Sequence, residues 1–69
     1  MSDIPANGTK AAVRYWAKRS RQSMRDVEWC MARGHWAQAN EYAMQAAGEA
    51  SEMHTAMEAL SDRHRHVNA

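Results

Sequence analysis

The chain has 69 residues, nine Lys or Arg against eight Asp or Glu, four His and one cysteine. That length holds one small domain and leaves a marginal core. The lone Cys30 rules out an intrachain disulfide, and no stretch reaches the roughly 20 apolar residues of a membrane span, so no membrane insertion is expected. Self-association is the expected reinforcement for so small a core. Residues Met1 to Thr9 carry no apolar run of the secretory kind, which with the single cysteine sets the expectation of a cytoplasmic location. Alanine is abundant, phenylalanine is absent and β-branched residues are few, a composition that favours helix.

In chain order, residues 1–8 read as a flexible arm holding the only proline, Pro5. Thr9 suits the N-cap of a first helix over about 10–33. Asn7-Gly8-Thr9 fits a glycosylation acceptor but reads here as turn and cap. Gly34 suits the left-handed residue that ends the helix, with a turn at 34–35. A second helix follows over about 36–63, and residues 64–69 read as a frayed tail. So short a turn makes the helices, about 36 and 42 Å long, antiparallel neighbours. The predicted fold is all-α: a two-helix antiparallel hairpin that dimerises into a four-helix arrangement.

In the second helix, Trp36, Ala39, Ala43, Ala46, Ala50, Met53, Met57 and Leu60 follow 3-4 spacing and predict one packing seam. Val13, Trp16, Ser20, Met24, Val27 and Met31 trace a looser seam on the first. A second small-residue strip on the second helix, Met44, Ala47, Gly48, Ser51 and Thr55, is assigned to a dimer mate. Trp16, Trp36, Ala43, Ala47, Ala50, Met53, Met57 and Leu60 are therefore the expected core or dimer residues. Cys30 reads as a small buried apolar residue near the turn. The segment Gly34 to Ala46, GHWAQANEYAMQA, resembles the turn and second helix of a tetratricopeptide unit. Gly34 stands at the turn glycine, Trp36 at the following aromatic, Ala39 at the small packing position, and Tyr42 and Ala46 at later ones. No 34-residue period accompanies it, so the resemblance implies a tight hairpin and no array.

Charge is divided between the helices. Six basic residues lie between Lys10 and Arg25 with no acid among them, and five acids lie between Glu41 and Asp62 with no base. Lys10, Arg14, Lys18, Arg21 and Arg25 fall on one stripe. The simplest expectation is that the two halves neutralise each other within the hairpin or dimer. The stripe is alternatively a phosphate-binding surface, or the acidic helix a mimic of nucleic acid. The low net charge and the lack of a recognition motif make nucleic acid the weaker expectation. Tyr15, Arg19 and Trp29 project from the seam on one side of the first helix, with hot-spot composition. Trp29 alternatively packs on a dimer mate or beside Trp36 at the hairpin end.

No nucleophile has a placed base, no glycine-rich phosphate loop is present, and His35, His54, His64, His66 and Cys30 have no zinc-like spacing. No enzyme activity, metal or cofactor is expected. Length and the two-helix plan resemble the small quorum-sensing anti-activator proteins encoded by Pseudomonas phages. That resemblance implies a homodimer in the host cytoplasm. It also implies binding to the DNA-binding region of a LuxR-type transcriptional activator, with the pilus assembly ATPase as a second target. Tyr15, Arg19 and Trp29, with Glu41, Glu49 and Glu52 read as one outer acidic face, are the candidate partner-binding residues.

Overall fold

The computed structural model describes residues 4–67, with side chains through Arg65. It contains two helices, α1 (Lys10–Ala32) and α2 (Trp36–Val67), packed against each other. There is no strand among the described residues. The hairpin is a slab one helix thick, 52 × 26 × 12 Å.

Local chemistry sets the ends of α1. The Ala12 N–H donates to Thr9 Oγ1 at 3.2 Å, and Thr9 Oγ1 donates to the Ala6 carbonyl at 2.7 Å. This satisfies one orphan donor of the first turn. At the other end, His35 N–H reaches the Cys30 carbonyl at 2.9 Å and Gly34 N–H the Met31 carbonyl at 3.1 Å. These are the paired bonds of a Schellman motif, with Gly34 at φ +72° in the position that penalises any Cβ. The His35 carbonyl then accepts from Ala39 N–H at 2.9 Å, which starts α2 after a three-residue link, Arg33 to His35.

Two boundaries differ from the sequence expectation. Residues 7–8 form a turn set against the C-terminal part of α2, where Arg63 Nη1 donates to the buried Gly8 carbonyl at 3.2 Å. The part of the arm at 1–3 lies outside the described residues. Helix α2 continues through Val67, because residues 64–67 contain no Gly or Pro to stop it and Arg65 pairs back to Asp62 at 3.7 Å. Residues 68–69 lie outside the described residues.

The seam is made of small side chains. Its fully or nearly buried residues are Ala12, Ser20, Ser23 and Cys30 on α1 and Ala39, Ala46, Glu49 and Ala56 on α2. Trp16, Val27, Tyr42, Ala50, Met53 and Leu60 are half-buried. On α2 the pattern is 39, 42, 46, 49, 53, 56, 60, a heptad turned about 100° from the expected one at every second position. Ala43 and Met57 therefore lie outside the hairpin core, as does Trp36, which is 65% exposed. On α1, Ser23 and Cys30 take the positions expected for Met24 and Met31, which are both half exposed. Small residues facing each other allow close backbone approach, and the bulky ones are turned to the flanks.

Candidate functional site

Midway along the seam is a buried polar cluster. Glu49, only 7% exposed, accepts at Oε1 from Ser23 Oγ at 2.5 Å and at Oε2 from Arg19 Nε at 3.1 Å. Gln45 Nε2 donates to Ser23 Oγ at 3.2 Å. Each helix supplies two members, so the cluster fixes register as well as neutralising the carboxylate. Every buried side-chain N or O among the described residues has a partner. Arg19 Nη1 also meets Tyr15 Oη at 3.4 Å, and its guanidinium lies 5.6 Å from the Tyr15 ring centre. The hydrogen bond to Glu49, then the field of Tyr15, hold the Arg19 pKa above the ordinary arginine value. Tyr15 in turn meets Trp16 edge to face at 5.0 Å.

This placement corrects one part of the expected site. Glu41 and Glu52 are exposed, but Glu49 is not on an outer face with them. It is drawn into the seam because α1 provides a hydroxyl and a guanidinium at its height. Glu49 thus has an internal role in register.

Tyr15 and Arg19 are together, whereas Trp29 lies about 15 Å further along the same flank, ten residues at 1.5 Å each. There the Arg33 guanidinium sits 3.9 Å over the Trp29 ring and Arg33 Nη1 donates to the Trp29 carbonyl at 3.3 Å. His35 stacks on the same indole, its ring centre 6.2 Å away and 16° from parallel. Trp29 remains 52% exposed within this stack. Arg33 was findable from its i+4 spacing to Trp29. His35 was not, because its ring position depends on the turn geometry.

Lys10, Arg14, Lys18, Arg21 and Arg25 are all exposed and, among the described residues, make no side-chain hydrogen bond or ion pair. Direct neutralisation across the hairpin is confined, among the described residues, to Arg19 and Glu49. Tyr15, Lys18, Arg19, Arg21, Gln22 and Arg25 border a shallow open depression on this side of α1. His54 pairs with Glu58 on the surface of α2 at 3.3 Å. No three His, Cys, Asp or Glu come together as a metal site would require among the described residues. No described helix is long and apolar enough to cross a membrane.

The arrangement defines a two-helix antiparallel hairpin with a polar register lock at mid-height, an aromatic–arginine stack at its tip and a free basic ridge. Comparison with models of known protein families, with curated proteins and with solved structures gives no match.

Proposed function

We propose that this chain is a non-enzymatic protein–protein binder that acts as a dimer and inhibits its partner by occlusion. The observation that supports this best is the tip stack. Trp29 presents half its surface to solvent, with Arg33 over its ring and His35 stacked on it. An exposed tryptophan flanked by arginine has the composition of a binding hot spot. Tyr15 with Arg19, themselves locked by Glu49, form a second anchor on the same flank. The resemblance to the phage anti-activators supplies the target class. That class is the DNA-binding region of a LuxR-type activator in the host cytoplasm, with the pilus assembly ATPase as a second target.

The test uses a purified LuxR-type DNA-binding region on its operator. The chain is expected to release it from DNA, and Trp29→Ala to weaken the release by about tenfold or more, with helicity retained by circular dichroism. No release, or equal release by the variant, overturns the reading. The five unpaired bases of the α1 ridge favour a second reading, direct nucleic-acid binding. It predicts retention on DNA alone that falls steeply with salt and is lost on reversing Arg14 and Arg21.

A further inference from the structure

We propose that the hairpin has one apolar broad face and that a second copy of this chain covers it, with α1 of each copy lying against α2 of the other. The inference rests on the dimer reading above and adds the face and the orientation.

At about 100° per residue, Arg19 and Glu49 mark one broad face of the slab, and the residues on the other follow from the helical wheel. Val13, Met24 and Met31 of α1 and Trp36, Ala43 and Met57 of α2 fall together on that opposite face. Met24, Met31, Trp36 and Met57 are each about half exposed or more, while the buried apolar residues are four alanines and Cys30. The hairpin thus turns Met24, Met31, Trp36 and Met57 outward on one side and packs its smallest side chains inside. A small domain gains stability only when such surface is removed from water.

Size and charge select the occupant. From Trp36 to Met57 the strip runs about 32 Å, and two helices make it about 20 Å wide. The resulting footprint of roughly 600 Å², before side-chain relief is counted, is of the order of the ~800 Å² each partner gives to a stable interface. The six residues named on this face carry no charge, and His54, at the same angle as Trp36, is paired with Glu58 along its outer edge. Orientation follows from the charges that border this face on the same wheel: Lys10, Arg14 and Arg21 with Glu28 on α1, and Glu58 on α2. A two-fold axis parallel to the helices sets α1 against the partner's α2, so opposite charges meet. An axis across the helices sets α1 on α1 and opposes like charges. The parallel axis also preserves height. Ser23 meets Gln45 and Glu49 within one hairpin, so the adjacent Met24 would stand over Ala43 and Ala47 of the partner, a long side chain over a shallow hollow. Trp29, Tyr15 and Arg19 remain outside the contact, on both outer sides of the dimer.

The experiment combines sedimentation equilibrium of the full chain with disulfide trapping in a Cys30→Ala background. Chains carrying Met24→Cys are mixed with chains carrying Ala47→Cys, oxidised and mapped by mass spectrometry. The expected result is a dimer trapped mainly as 24-to-47 links between the two kinds of chain. Met24→Glu and, independently, Ala47→Glu should weaken dimerisation by about tenfold or more with helicity retained. A chain that stays monomeric at every concentration overturns both this inference and the dimer reading. A dimer that links like with like, or that survives both glutamate substitutions, overturns the face and orientation and leaves the dimer reading standing.

Discussion

Replacing Ser23 by alanine tests whether the buried polar cluster holds the seam. Ser23 is 2% exposed and its hydroxyl is the Oε1 donor to a carboxylate that has almost no access to water. A hydrogen bond to a charged acceptor contributes about 1.5–3 kcal/mol, and an unpaired buried oxygen keeps its full desolvation cost. Alanine recovers roughly 0.5 kcal/mol through its better helix propensity. Ser23→Ala should therefore cost about 1–2 kcal/mol, or roughly 5–15 °C in Tm for a domain of this size. Thermal and urea unfolding followed by circular dichroism at one fixed protomer concentration would measure it. Adding Glu49→Met to Ser23→Ala makes position 49 apolar like its neighbours in the α2 heptad. Stability should then return to the parent's or exceed it, because Arg19 is half exposed and can return to water. A Ser23→Ala chain as stable as the parent, or a double variant weaker than the single one, would refute the reasoning. The upward shift of Arg19 adds no slope near neutral pH. Its contribution is fully present below the ordinary arginine value and fades only as pH rises through the higher folded one.

Two further outcomes follow from the turn and the core. Gly34→Ala should destabilise by about 1–2 kcal/mol through the positive φ alone, since the nearest atom to an added Cβ is Trp36 Nε1 at an ordinary 3.9 Å. A loss below about 0.3 kcal/mol in the same unfolding assay would count against the Schellman geometry. Cys30 is 1% exposed, so its modification by a thiol reagent should be slow in the folded chain and should quicken in proportion to unfolding by urea. Labelling as fast as that of a free thiol would place Cys30 on the surface instead.

The start and turn of α1 were legible because they depend on neighbouring residues: Thr9 caps three residues ahead, and Gly34 closes the helix that precedes it. The α2 seam was half legible. Ala39, Ala46, Met53 and Leu60 were expected and are in the seam, and Ala50 is half-buried beside it, but 42, 49 and 56 stand there as well while 43 and 57 are exposed. An alanine-rich helix offers two apolar stripes about 100° apart, and its own pattern does not choose between them. A tyrosine at 42 and a glutamate at 49 argue for the wrong one. What admits Glu49 is Ser23 and Arg19 on the other helix, partners that only the three-dimensional register reveals. The same blindness hid Ser23 behind the more apolar Met24, whereas Cys30 was expected to be buried and is. Tyr15, Arg19 and Trp29 were found as one flank. Their division into two anchors depends on Arg33 and His35, which the turn brings to Trp29.

The Arg63–Gly8 hydrogen bond joins groups 55 positions apart, whereas the turn bonds join residues three to five apart. Between these limits each interhelical pair encloses a longer loop than the pair before it, counting outward from Gly34. Loop-closure entropy therefore favours an ordered folding route: the turn nucleates, the helices zip from the tip, and Ser23–Glu49 closes at mid-height. On this argument the clasp on Gly8 is expected to close last and, on unfolding, to open first. On that route the tip bearing Trp29 is expected to take shape first and to be lost last, so a partner held there, as proposed, would stay engaged while the far end of the hairpin frays and recloses.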